Sequence, residues 1–321
     1  MAYKRCVLLF SGGLDSFIVF NLLKEQGIDV ILLRFTSPFF TSEPKNFPPN
    51  TKPHEICLGK DYLKIIENPE YGYGKNLNPC IDCRIFMFKE AKRVMEKISA
   101  GFIATGEVLG QRPMSQRRDI FHLMEREASL KGLILRPLSA KLLEETIPEK
   151  KGIVCRDKLL SVQGRSRKQQ IALSEKYGIK NCLTPAGGCL LTDKNFCRRL
   201  RNFIESGLPL SLENIVFLKS GRYLSLSDKF KLIVSRNEGE GVRLKDIAEG
   251  RFMCIEPADK PGPFGVVLSE DISEDLVSLS AEIIAYYTDK KFPTSVKIIP
   301  VSGRRRIISS LPCGENQIHP L

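Results

Sequence analysis

Two cysteines spaced by two residues, Cys80-Ile81-Asp82-Cys83, stand at the start of a predicted helix, and a third closes the stretch Pro185-Ala186-Gly187-Gly188-Cys189. Two thiolates at that spacing can share one metal or cluster, and a helix start favours thiolate over thiol. The pair alone is compatible with zinc, with a redox couple or with no chemistry. With Cys189 added, three thiolates suffice for an iron–sulfur cubane that leaves one iron without a protein ligand, whereas structural zinc wants four ligands. Cys182 is a candidate fourth zinc ligand or resolving thiol, although its surroundings read as buried structure. The other cysteines lack partner spacing and the three histidines are isolated, so none of them is assigned chemistry.

A second constellation, Ser11-Gly12-Gly13-Leu14-Asp15-Ser16, suits phosphate. The glycines permit close backbone approach, the N–H groups and positive end of a following helix meet in one concavity, and Ser11 and Ser16 add hydroxyl donors. Neither a Walker A loop nor GxGxxG is present. A third patch runs from Ala104-Thr105-Gly106-Glu107 through Gln111 to Gln116, after a short apolar run.

The elements that must position these groups alternate between strand and helix. Lys4–Phe10 and Asp29–Arg34 read as apolar strands around a helix at Leu14–Gln26, and strands recur at Gly101–Gly106 and Leu133–Pro137. The expected fold class is α/β: a parallel sheet with helices on both faces, with ligands at the strand C-termini. Residues 36–53 and 68–79 read as long loops, with a helix at Arg84–Ile98 after the second. Basic helices are expected at Arg165–Tyr177 and Asp193–Ile204. Past Gly207-Leu208-Pro209, short runs including Ile215–Leu218, Arg222–Leu226, Lys231–Ser235, Phe252–Ile255 and Val266–Leu268, a helix at Asp271–Tyr287 and a strand at Ser295–Pro300 predict a small α+β domain. The expected division is therefore 1–207 and 208–321.

Composition agrees with a globular protein: 321 residues, 42% hydrophobic and 27% charged, exclude a disulfide miniature and bulk disorder. Ten cysteines without a secretion signal or a long apolar run point to a reducing, cytoplasmic setting and no membrane. The 49 Lys+Arg against 37 Asp+Glu give a formal +12, which raises the expectation of a polyanionic partner such as RNA. Arg112, Arg117 and Arg118, then Arg165, Arg167 and Lys168, then Arg198, Arg199 and Arg201 are basic clusters able to track phosphates.

SGGLDS after the first strand resembles the PP-loop signature of the ATP pyrophosphatases (adenine nucleotide α-hydrolase-like), which cleave ATP between the α- and β-phosphates and adenylate their substrate. Enzymes that thiolate tRNA, amidate small molecules, make argininosuccinate or build deazaguanine nitriles share it, so it fixes the activation chemistry and not the substrate. Thr105-Gly106-Glu107-Val108-Leu109-Gly110-Gln111, followed by Ser115-Gln116, resembles the TGE-x-LGQ-x-x-SQ segment of the tRNA 4-thiouridine synthetases, here with an Arg-Pro-Met insertion. It implies that Thr105, Gly106, Gln111 and Gln116 lie at the nucleotide. NPCIDCR with the distant PAGGC is similar to the tRNA thiolases that carry a three-cysteine iron–sulfur site. In cluster-free relatives two corresponding cysteines act as nucleophile and persulfide carrier, commonly with a rhodanese domain, and no such segment is recognisable here. Asn214–Arg222 and Leu232–Glu238 are similar to a small RNA-binding domain found on some thiolase-like proteins and ribosome quality-control factors, which implies contacts at Arg222, Tyr223, Arg236 and Arg304–Arg306.

Together the resemblances imply an ATP-dependent tRNA thiouridine synthase, a sulfurtransferase that turns ATP into AMP and pyrophosphate. Ser11, Gly12, Gly13, Asp15 and Ser16 would hold ATP with Mg²⁺. Cys80, Cys83 and Cys189 would hold the cluster, a 4Fe-4S cubane, and Asp15, Cys80 and Cys189 would be catalytic. Partners would be tRNA, a sulfide or cysteine desulfurase-type sulfur donor, and a second copy of the chain. A cluster-free persulfide relay and a small-molecule PP-loop amidotransferase or nitrile synthase are the alternatives. The modified uridine, at position 8 or 34, and the 4-thio or 2-thio product stay open.

Overall fold

The computed structural model describes residues 4–41, 43–44, 46–180, 182, 188–269 and 272–314. Two compact units divide the chain, Met1–Thr192 and Asp193–Leu321.

In the first unit β1 (Arg5–Leu9) leads into α1 (Leu14–Lys24) and β2 (Asp29–Thr36), followed by β3 (His54–Cys57), α2 (Lys60–Glu67), α3 (Cys80–Lys97), β4 (Phe102–Thr105), α4 (Arg118–Glu127), β5 (Ile134–Leu135), α5 (Ile147–Lys150) and α6 (Lys168–Lys176). The five strands form one sheet in the order β3-β2-β1-β4-β5, and every pairing is parallel. Alternate residues of β1 serve opposite faces. Cys6 and Leu8 join a core with Phe17, Ile18 and Leu22 of α1, while Val7 and Leu9 join Ile85 and Phe88 of α3 and Phe121 of α4. The expected two-sided α/β arrangement is thus present, with each fully buried branched or aromatic side chain contributing about 1.5–3 kcal/mol. The chain moves outward from β1 through β2 to β3, then restarts on the other side at β4. The crevice for a ligand in such a sheet lies outside the C-terminal ends of β1 and β4.

The second unit contains α7 (Lys194–Glu205), α8 (Leu212–Leu218), β6 (Arg222–Ser227), β7 (Phe230–Val234), α9 (Glu238–Ala248), β8 (Met253–Pro257), β9 (Gly265–Leu268), α10 (Glu274–Thr288), β10 (Thr294–Ile299) and β11 (Arg306–Ser310). Its six strands pair antiparallel in the order β11-β10-β8-β9-β7-β6, and α10 packs its Val277, Ala281 and Ile284 onto Leu232, Ile255 and Val296.

Three local expectations change. The apolar run Ile215–Leu218, expected as a strand, is the end of α8: Ser211 caps that helix by accepting from the Asn214 N–H at 3.1 Å, and the cap with packing against α7 overrides the β-branched composition. Helix α3 starts at Cys80 rather than Arg84, so both cysteines of the pair sit in its first turn. Helix α7 groups with the second unit rather than preceding its boundary, because Tyr223 Oη donates to Asn202 Oδ1 at 2.7 Å and Arg199 bonds the Leu218 carbonyl at 3.2 Å. No helix among the described residues is long and apolar enough to cross a membrane.

Candidate nucleotide and cysteine site

The loop after β1 turns at Gly12, whose φ of +75° is a left-handed geometry that glycine adopts without cost. A Cβ at Gly12 would also stand 2.3 Å from Pro44 Cβ. The chain then enters α1 with Gly13 at its N-cap, the Gly13 N–H on Ser11 Oγ at 3.3 Å, and Ser16 Oγ donating to the Gly13 carbonyl at 2.7 Å. Gly13 caps with no side chain, and the Ser16 N–H turns back onto the Gly13 carbonyl at 3.0 Å, which leaves the N–H groups of Leu14 and Asp15 to face an anion. At the neighbouring strand end, a Cβ at Gly106 would lie 3.1 Å from the Asp15 carbonyl carbon, Asp15 Cβ and Ser16 N, so this glycine lets β4 close against the loop.

Around Asp15 the structure gathers groups that the sequence reading had separated. Arg167 Nη2 meets Asp15 Oδ2 at 3.1 Å, and the Gln111 and Gln170 side chains also face this carboxyl. The segment reaches the loop because Leu109 pairs with Gln163 and the Gly164 N–H bonds the Leu109 carbonyl at 2.7 Å. Arg167, expected to face RNA, is thereby assigned to the phosphate loop, while Arg165 and Lys168 are exposed. Burial pushes the Asp15 carboxyl above its ordinary range, against the pull of Arg167. Asp15 Oδ1, Gln116 Oε1 and both amide atoms of Gln170 are buried without a hydrogen-bond partner. Buried polar atoms are nearly always satisfied, so the orphaned atoms of Asp15 and Gln170 beside a helix N-terminus fit a polar, phosphate-bearing ligand. Gln170 was not singled out from sequence, because one glutamine in a basic helix carries no local signal.

The cysteines converge on the same unit. Asp82 accepts from the N–H groups of Glu70 at 2.9 Å and Tyr71 at 3.2 Å, which ties the 68–79 loop to the start of α3. Tyr62 of α2 donates to Cys83 Sγ at 3.2 Å, and Asn78 Nδ2 donates to Cys80 Sγ at 3.2 Å. Cys189 is held from the other side by an antiparallel bridge to Phe40, with the Leu190 N–H on the Phe39 carbonyl at 2.8 Å. Pro185, Ala186 and Gly187 lie outside the described residues. The three sulfurs lie within electrostatic reach of one another: burial pushes the Cys189 thiol up to about 12, and the nearby Cys83 and Cys80 add to the push. Burial also raises the Cys83 thiol, against the pull of the Tyr62 hydrogen bond and of Arg84. Buried thiols of this kind ionise on binding a metal.

Among the described residues no three His, Cys, Asp or Glu side chains stand close enough to hold one metal ion together. A cubane places each thiolate on a different iron, so its ligands spread wider than those of a single ion, and three neighbouring cysteines with a donor on each of two sulfurs fit such a group.

A buried ion network joins the two sites. Arg84, next to Cys83, lies 3.4 Å from Glu107 Oε1, and Arg136 Nε lies 3.1 Å from Glu107 Oε2. Arg136 also pairs with Glu125 and stacks on the Phe121 ring at 3.9 Å. Glu107 follows Thr105-Gly106, so one carboxylate links the nucleotide segment to the cysteine-bearing helix. Arg112 acts on both Cys83 and Cys189, opposing the rise of their thiols. Sequence reading missed Arg84, Arg136 and Tyr62 because each acts through partners distant in the chain.

In the second unit, the arginines expected to touch RNA have local partners. Arg199 bonds the carbonyls of Leu218, Ser220 and Gly221, and Arg236 Nη2 bonds the Gly221 carbonyl at 2.6 Å. Arg222 bonds the Ser235 carbonyl at 2.8 Å and stacks on Tyr287 at 4.5 Å, while Tyr223 is buried on Asn202. Arg198 and Arg201 are exposed on α7, and Arg304 and Arg305 are exposed before β11. In the first unit Arg117 is paired with Asp119, and Arg118 Nη2 bonds the Leu142 carbonyl at 2.6 Å.

The described residues form an α/β unit on a parallel five-stranded sheet, in which Cys80, Cys83 and Cys189 lie near one another, followed by an antiparallel α+β unit. Residues 221–319 match the family described as NFACT protein RNA binding domain. The chain is similar to a probable mitochondrial tRNA-specific 2-thiouridylase of Caenorhabditis elegans, 32% identical over 126 residues that make up 32% of this chain and 32% of the relative. It is also similar to tRNA-specific 2-thiouridylase MnmA of Petrotoga mobilis, 28% identical over 137 residues, or 34% of this chain and 36% of the relative. The chain thus spans about a third of the length of these curated relatives. Among solved structures, the U34-tRNA thiolase NcsA from Methanococcus maripaludis with its 4Fe-4S cluster overlaps 66% of this chain and 69% of that chain at 16% identity, with a TM-score of 0.30, too loose an overlap to define a common fold.

Proposed function

We propose that this protein is an ATP-dependent tRNA sulfurtransferase that adenylates a uridine carbonyl oxygen and replaces it with sulfur. The observation that carries the reading is the convergence of Cys80, Cys83 and Cys189 in a unit where Glu107 ion-pairs Arg84 of the cysteine helix and adjoins the glycine that closes on the phosphate loop. Activation and sulfur delivery can then act on one carbon.

In this reading the N–H groups of Gly12 and Gly13, the α1 N-terminus and the hydroxyls of Ser11 and Ser16 take the ATP phosphates. Asp15, steadied by Arg167, would hold Mg²⁺, and Thr105, Gly106, Gln111 and Gln116 would border the nucleotide. The uridine oxygen attacks the α-phosphorus, pyrophosphate leaves with its charge offset by the loop amides, and a poor oxygen leaving group becomes AMP; a bound Mg²⁺ would supply further charge neutralisation there. A cluster bound by Cys80, Cys83 and Cys189 would supply an iron without a protein ligand where hydrosulfide can be held. Sulfur forms the new bond to carbon as the C–O bond to AMP breaks, so no external oxidant or reductant enters. Arg112 adds positive charge where the adenylated uridine and the sulfur meet.

RNA contacts fall to the exposed cations Arg165, Lys168, Arg198 and Arg201, with Arg199 and Arg236 shaping the second unit around the Gly221 carbonyl and Arg222 around that of Ser235. The setting is cytoplasmic, and the enzyme works as a homodimer. The test is iron and acid-labile sulfide in protein purified without oxygen, alongside the alanine variants of Cys80, Cys83 and Cys189. Near-stoichiometric iron and sulfide lost in all three variants support the reading. Zinc, or no metal, moves the assignment to a persulfide relay through Cys80 and Cys189 or to a small-molecule enzyme.

A further inference from the structure

We infer that Tyr62 and Asn78 are positioning residues of the three-cysteine site, whose hydrogen bonds to Cys83 Sγ and Cys80 Sγ set how readily a bound cluster is reduced. The inference rests on the cluster reading above and adds a role for two residues that carry no motif.

Tyr62 is 1% exposed, and its Oη lies 3.2 Å from Cys83 Sγ. Phe39 meets its ring edge-on with centroids 6.1 Å apart, and Phe86 packs tilted at 5.9 Å. Burial of the residue keeps the hydroxyl from water, and the Cys83 sulfur is the acceptor it is given. Asn78 reaches Cys80 Sγ from the loop before α3, where the Gly74 N–H bonds the Asn78 carbonyl at 3.0 Å and the Asn76 N–H bonds Asn78 Oδ1 at 3.2 Å. A Cβ at Gly74 would fall 2.3 Å from Asn78 Nδ2, so the loop backbone closes tightly on this amide. Two donors from separate segments thus serve two sulfurs one helical turn apart.

A donor to a ligating sulfur withdraws electron density and stabilises the reduced, more negative state, which raises the reduction potential.

The test compares wild-type protein, Tyr62→Phe, Asn78→Ala and Phe39→Leu, all purified without oxygen, by iron and sulfide content, thermal unfolding and spectroelectrochemical titration. Tyr62→Phe keeps the packing and removes one hydrogen atom donor. Its ratio of reduced to oxidised cluster at the wild-type midpoint should fall about fivefold, the weight of one ordinary hydrogen bond. Asn78→Ala should shift the same way, whereas Phe39→Leu should lower the melting temperature and leave the potential in place. Equal potentials in loaded wild type and both donor variants overturn this inference alone, as does a Phe39→Leu shift equal to theirs. Wild-type protein without iron and sulfide overturns the cluster reading itself.

Discussion

Replacing Glu107 with glutamine keeps its shape but removes the charge that Arg84 and Arg136 share. The Glu107 and Arg136 side chains are 1% and 3% exposed, so Arg136 cannot recover water in exchange for the lost partner. Breaking a buried pair by removing one partner costs about 3–5 kcal/mol. Glu125 still pairs with Arg136 and the glutamine oxygen still accepts one bond, which places the expected loss near about 3 kcal/mol. At about 2–4 °C per kcal/mol for a unit of this size, the melting temperature should fall by about 6–12 °C, within what a domain of ordinary stability survives. Thermal unfolding by circular dichroism measures the loss, and a double-mutant cycle with Arg136→Met isolates the pair. The coupling in that cycle should exceed about 1 kcal/mol. A fall of under about 2 °C, or strictly additive single and double variants, would refute the buried network as the joint between the nucleotide segment and the cysteine helix.

Asp15→Asn should raise the melting temperature at neutral pH while removing ATP binding, since burial raises this carboxyl above 3.8 in the fold. Stability from its neutral form is present below the unfolded value and lost as pH rises through the folded one, so the gain in the variant should vanish in scans taken below pH 3.8; a gain that persists there contradicts the assignment. Gly12→Ala should cost about 2 kcal/mol or more in chemical denaturation, from a left-handed φ and from the contact with Pro44, and an unchanged midpoint would mean the turn is misplaced. Arg198→Ala with Arg201→Ala should lower the salt slope of tRNA binding by about one per lost phosphate contact, whereas Arg199→Ala should chiefly lower stability; an unchanged slope removes that face of α7 from the footprint.

The sheet was legible wherever the signal is local. The β1–loop–α1 opening and the end of β4 announce themselves by an apolar run, a pair of glycines and an apolar helical spacing in close succession. The short strand β3 was not, because its residues are mostly exposed and it borrows its order from the edge of β2. Helix α9 was hidden by Gly239 and Gly241, which argue against helix until Asn237 caps it by accepting from the Glu240 N–H at 2.9 Å. At the site, motif spacing pointed to the cysteines and to SGGLDS, but nothing in the sequence shows that Phe40 seats Cys189 or that Arg167 turns back onto Asp15. Both are long-range pairings without sequence period. The burial of Cys83, which raises its thiol, was also not legible, because it depends on packing from elements distant in the chain.

The most direct measurement of the central claim is a reaction of protein purified without oxygen with tRNA, ATP, Mg²⁺ and sulfide, followed by mass spectrometry of the digested tRNA and quantification of AMP. A thiolated uridine should form in step with AMP, with both lost in Asp15→Ala and the thiolated base alone lost in Cys83→Ala. Unmodified tRNA with the wild-type protein, or full thiolation by Cys83→Ala, would contradict it.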